Sequence, residues 1–172
     1  MQPTHTYNKY TISNVYGTVT SDQQQRILDF WRRNNAIGNP QEAQQRVHQV
    51  VLMAEDADKQ VVGVSTVYIQ QFQGNMKFYY FYRMFIQPAD RVYGMMEFMT
   101  QLTHESLKPV SIPNKPEGMV VITENPKLMR KGMRRMLAKS GLEYVGKDKQ
   151  QQVIWYWGFD KPSFLKKNTA KG

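Results

Sequence analysis

The chain has 172 residues, a formal charge of +9 and ordinary globular proportions, 41% hydrophobic and 22% charged, which suits one domain around a single well-covered core. It contains no cysteine, so disulfides, thiolate metal sites and a thiol nucleophile are excluded and a reducing, cytoplasmic setting is the default expectation. No basic leader precedes an apolar run and no stretch of about 18 apolar residues occurs, so neither export nor membrane insertion is expected.

Taken in order, Met1 to Asn8 are polar and expected to be poorly ordered, and Tyr10 to Thr20 alternates enough to suggest a first strand. Ser21-Asp22, followed by Ile27, Leu28, Phe30 and Trp31, predicts a capped helix that ends near Asn34-Asn35. Pro40 is a good first helical residue, and a second short helix is expected from there to about Arg46. Val47 to Ala54 and Gln60 to Phe72 then predict two strands joined by the polar turn Glu55 to Lys59. Gln73-Gly74-Asn75 turns the chain into an aromatic strand, Met76 to Ile86, so three successive strands are expected to run antiparallel.

A helix is predicted over about Val92 to Lys108, where Met95, Met96, Phe98, Met99, Leu102 and Leu107 recur at helical spacing. Pro109 to Pro116 is a proline-rich connector. Gly118 to Thr123 lacks polar alternation, as expected of a strand buried on both faces and parallel to its predecessor through a helical crossover. A helix over Pro126 to Ser140 closes at Gly141, and strands at Leu142 to Gly146 and Val153 to Gly158 complete an α/β chain. The folded core spans about Tyr10 to Phe159 as one domain, and the residues from Asp160 onward form a basic tail.

The stretch Phe85 to Met96 joins the aromatic strand to the third helix. A strand that feeds a helix through a short loop aims the helix's unpaired amides beyond the strand end, and such amides favour phosphate. Two sequence features here, Ile86-Gln87-Pro88 and then Arg91-Val92-Tyr93-Gly94-Met95-Met96, resemble the signature of the GNAT superfamily of acyl-coenzyme A transferases. That signature is an apolar residue and a proline at the strand end, then Arg/Gln-x-x-Gly-x-Gly/Ala opening the helix. The arginine, first glycine and proline are in register, and Met96 stands where the family has its last small residue. Asn125 matches an asparagine the family often has after its next strand. Ser140-Gly141-Leu142 matches the glycine that ends its fourth helix, with leucine for the usual aromatic. The resemblance covers about Thr20 to Phe159.

It implies a GNAT fold: a mixed, mostly antiparallel sheet of about seven strands flanked by about four helices. It also implies acetyl-coenzyme A as cosubstrate, bound by Phe85, Ile86, Gln87, Arg91, Val92, Tyr93, Gly94, Met95, Met96 and Asn125, and an amine acceptor. The glycine would let backbone approach the pyrophosphate, with the helix dipole behind the first-turn amides. Backbone groups near Phe85 to Gln87 would hold the pantetheine arm and polarise the thioester carbonyl.

Aminolysis of a thioester needs a base for the amine and an acid for the leaving thiolate. Relatives often supply the acid from a helix-four tyrosine, and the corresponding positions here are Leu137 and Ala138. Tyr80 and Tyr82, which share a strand face, and Glu124, at the end of the fifth predicted strand, are the catalytic candidates. The three histidines are far apart in sequence and build no triad or metal site.

The charge is local. Pro126 to Ser140 holds six cations and no acid, and the tail from Asp160 adds four lysines against one aspartate. Lys127, Arg130, Lys131, Arg134 and Arg135 fall on one helical stripe, opposite Leu128, Met129, Met133, Met136 and Leu137. Such a stripe suits an anion: the phosphates of the coenzyme, an acidic protein, or nucleic acid. The alternative function is therefore a GNAT-fold protein that binds or modifies nucleic acid or an acidic partner through this helix, as a monomer or homodimer.

Overall fold

A computed structural model describes residues 2–72, 76–123 and 131–160. Its elements run β1 (Thr4–Tyr7), β2 (Tyr10–Asn14), α1 (Ser21–Arg33), α2 (Pro40–Arg46), a 3-10 turn (Val47–Gln49), β3 (Val50–Glu55), β4 (Val61–Gln71), β5 (Phe78–Ile86), a 3-10 turn (Pro88–Asp90), α3 (Met95–Leu107), β6 (Gly118–Thr123), α4 (Lys131–Ser140), β7 (Glu143–Lys147) and β8 (Val153–Gly158). Hydrogen bonding orders the strands β1-β2-β3-β4-β5-β6-β8-β7 in one mixed sheet of eight. β5 and β6 pair parallel through Tyr80↔Met119 and Phe81↔Val120, while β6 and β7 both run antiparallel to β8.

The element order is the expected one, with three revisions. The segment before Tyr10 is a strand: β1 pairs antiparallel with β2 from Thr4↔Ser13 to Tyr7↔Tyr10, and Asn8 makes the reversal at φ +51, a conformation asparagine tolerates. This raises the strand number to eight, and β2 stops at Asn14. The third helix opens at Met95, later than Val92, because the backbone first makes a 3-10 turn and passes through Gly94 at φ +80.

The chain divides into two compact units, Met1–Val67 with Arg83–Met96, and Tyr68–Tyr82 with Glu97–Gly172. In the first, Thr20 caps α1 through a reciprocal box with Gln23, and Asn39 caps α2 ahead of Pro40. Ile27, Phe30 and Trp31 of α1 and Ala43 of α2 bury against Val50, Met53, Val61 and Val64 of the strands. The turn between β3 and β4 is held by Asp56, whose carboxylate accepts the amides of Asp58 and Gln60.

The second unit buries β6 almost completely, as its unbroken apolar run predicts. Met99, Leu102 and Leu107 of α3 are buried, and His104 stacks on Trp157 of β8 with ring centroids 3.7 Å apart. α4 ends in a Schellman motif: the Leu142 amide donates to the Leu137 carbonyl at 3.1 Å and the Gly141 amide to Ala138 at 3.2 Å. No helix among the described residues is long and apolar enough to cross a membrane.

Candidate functional site

The turn after β5 is held by polar side chains within the first unit. Gln87 donates its amide to the Val62 carbonyl at 2.9 Å, and its side chain bonds one carboxylate oxygen of Asp90. The Tyr10 hydroxyl donates to the other, at 2.7 Å. With both oxygens engaged, Asp90 clamps the 3-10 turn between β5 and β2. Burial, then the Asp90 hydrogen bond and its charge, push the Tyr10 phenol up to about 12. Arg91 folds back so that Nε donates to the Ile86 carbonyl at 2.7 Å and its guanidinium lies 5.5 Å from the Phe85 ring centroid. Phe85 in turn packs on Phe30, centroids 5.7 Å apart.

Gly94 completes the turn. Its φ of +80 is a conformation that L side chains rarely adopt, and an added Cβ would lie 2.4 Å from the Tyr7 hydroxyl oxygen. That hydroxyl donates to the Tyr93 carbonyl at 2.6 Å, which leaves the Tyr93 ring 90% exposed. The turn's own backbone bonds use the amides of Asp90, Arg91, Val92 and Met95 and omit those of Tyr93 and Gly94. Met95 is fully buried, Val92 and Met96 half so. Tyr7, Tyr10 and Asp90, which hold the shape of this turn, are absent from the sequence expectation. Asn8-Lys9 between Tyr7 and Tyr10 is the local signal of the hairpin that delivers Tyr7.

The other predicted residues fall elsewhere. Tyr80 and Tyr82 belong to the second unit and are buried. Tyr80 meets Phe159 edge to face at 6.0 Å, and the Tyr82 hydroxyl lies 3.2 Å from that of Thr100. Burial raises the Tyr82 phenol well above its ordinary value, against the lowering effect of hydrogen bonds to Thr100 and Thr103. On α4, Lys131, Arg134 and Arg135 are exposed, with no ion-pair partner among the described residues, whereas Lys139 lies 4.0 Å from Glu97. Glu124, Asn125, Lys127 and Arg130 lie outside the described residues. No cluster of three metal-ligating side chains occurs among the described residues.

No family model and no curated protein matches the chain. Solved structures do. The GNAT domain of PAT from S. lividans matches with a TM-score of 0.63 at 9% identity, covering 91% of this chain and 96% of that one. Ribosomal-protein-S5-alanine acetyltransferase from Vibrio fischeri gives 0.62 at 13% identity, covering 93% and 100%. Arabidopsis thaliana NAA60, solved with acetyl-CoA, gives 0.59 at 10% identity over 88% and 99%. Coverage this broad at identities this low defines the fold: the chain has the GNAT fold.

Proposed function

We propose that the chain is an acyl-coenzyme A-dependent N-acyltransferase that moves an acetyl or related acyl group from its thioester to an amine. The observation that carries this reading is Gly94, held at φ +80 where α3 opens, beside the amides of Tyr93 and Gly94 itself, which have no hydrogen-bond acceptor among the described residues. In this reading those amides, with Met95 and Met96 behind them, receive the pyrophosphate, and the positive end of α3 adds its dipole. Arg91 supplies charge beside the turn, Val92 shapes it, and the backbone from Phe85 to Gln87 holds the pantetheine arm. Asn125 and Glu124 keep the roles that the resemblance and topology suggest.

The amine attacks the thioester carbonyl, a proton leaves the nitrogen, and the departing thiolate is protonated. Tyr82 is one tyrosine candidate for these proton transfers. Tyr80 is the second tyrosine candidate. The test is thermal melting with acetyl-coenzyme A: at a hundredfold excess over Kd, binding adds about 2.7 kcal/mol, a rise of about 5–10 °C for a chain this size. No shift at millimolar ligand removes the proposal's basis.

A second reading rests on Lys131, Arg134 and Arg135, which are exposed and have no ion-pair partner among the described residues. Like charges this close repel by a few tenths of a kcal/mol per pair, and a polyanion such as nucleic acid would relieve this, as would an acidic protein. Retention of nucleic acid that falls steeply with salt and disappears when all three become Glu supports it. No retention by the parent protein at physiological salt rules it out.

A further inference from the structure

The second unit contains a cavity of about 230 Å³ whose lining includes Phe72, Tyr79, Tyr156, Glu117 and Lys77. None of these belongs to the Phe85 to Met96 turn. The volume is below the roughly 300–1,000 Å³ of sites that enclose a whole small-molecule ligand, so it suits a small head group.

The walls are rings set at right angles. Phe72 meets Tyr79 at 79° with centroids 6.2 Å apart, and Tyr79 meets Tyr156 at 83° and 5.7 Å. Aromatic faces carry negative quadrupole density and attract cations. The charges favour the same sign of ligand. The Glu117 carboxylate is exposed and has no ion-pair partner among the described residues. Asp160 adds to the upward shift of the Tyr156 phenol, after burial and the neighbouring Tyr79. Its Oδ1 is 2.4 Å, and the Tyr156 hydroxyl oxygen 3.0 Å, from where a Cβ on Gly158 would stand. Lys77 is the one cation in the lining. A neutral apolar ligand would leave Glu117 unpaired, and an anion would face both the carboxylate and the ring faces.

We propose that this pocket binds a small organic cation, an alkylammonium head held against Tyr79 and Tyr156 and neutralised by Glu117. It goes beyond acyl transfer and stands whether or not the coenzyme binds.

Tetramethylammonium chloride is the probe, followed by the proton resonance of its methyl groups, with sodium chloride to hold ionic strength constant. The expected result is a saturable upfield shift, since the rings shield what they enclose. Tyr79→Leu should weaken binding about three- to thirtyfold, the range of a partly desolvated cation–π contact, and Glu117→Gln about two- to fivefold. Lys77→Gln should tighten it by removing the competing cation. Tyr156→Phe keeps the ring and should bind like the parent, so the proposal stays testable if Tyr79→Leu fails to fold. A shift that does not saturate overturns it. So does saturable binding of benzoate that Lys77→Gln weakens, because the pocket would then be an anion site.

Discussion

Tyr7 and Gly94, 87 positions apart in sequence, define each other's conformation: the tyrosine hydroxyl donates to the Tyr93 carbonyl at 2.6 Å and occupies the space a Gly94 side chain would need. An edge strand at the start of the chain thereby shapes the loop that opens α3.

Gly94→Ala should cost about 1–3 kcal/mol for the left-handed backbone, plus the loss of the Tyr7 hydrogen bond as the ring swings away. In a Tyr7→Ala background the same change should cost about 1 kcal/mol less. Urea denaturation of the four proteins measures this. Equal costs in both backgrounds would mean that the contact carries no energy. Gly94→Ala should also abolish the melting shift with acetyl-coenzyme A.

Gly141→Ala should be worse. Gly141 sits at φ +119, and a Cβ there would lie 2.8 Å from the Trp157 ring, which is buried and stacked on His104. The Tyr7 tip can swing into space; the Trp157 ring has no room to do so. Melting temperature should fall further than for Gly94→Ala, and a smaller fall would contradict the ranking.

Alkaline stability should depend on Tyr10. Its phenol, at about 12 in the fold against about 10 in an unfolded chain, stabilises the fold fully below pH 10. That contribution is lost as pH rises toward 12. Tyr10→Phe should flatten the stability profile in that window and loosen the Asp90 turn. A profile unchanged between pH 10 and 12 would count against the Tyr10–Asp90 bond.

Acid stability should depend on His104. Burial holds its imidazole down to about 4 from about 6.5, so the neutral ring stabilises the fold above pH 6.5 and the contribution is lost as pH falls toward 4. Its Nε2 lies 3.2 Å from the Gly158 carbonyl oxygen. Unfolding free energy from urea denaturation should fall over this interval in the parent and stay flatter in His104→Phe.

The elements were legible where their signals are local. Pro40 and Arg46 bound α2 as expected, Gly141 stands at the helix end that a left-handed residue must close, and the unbroken Gly118 to Thr123 run is buried. The Phe85 to Met96 turn was visible through its proline, arginine and glycine. Less legible were Tyr80 and Tyr82: strand alternation places them on one face but does not show whether that face meets solvent or α3. β1 was missed because Thr4, His5 and Thr6 are polar and exposed and the half-buried Tyr7 alone makes no apolar pattern, and their pairing depends on the edge that β2 offers.

Spacing, caps and turn residues act over a few positions, so element order, the glycine that opens α3 and the basic face of α4 follow from neighbours along the chain. Asp90 clamped by Tyr10, Tyr7 set against Gly94, and Glu117 beside the rings of Tyr79 and Tyr156 arise only when strands bring distant segments within hydrogen-bond or van der Waals reach. Their energies depend on burial and geometry, which a linear pattern does not contain.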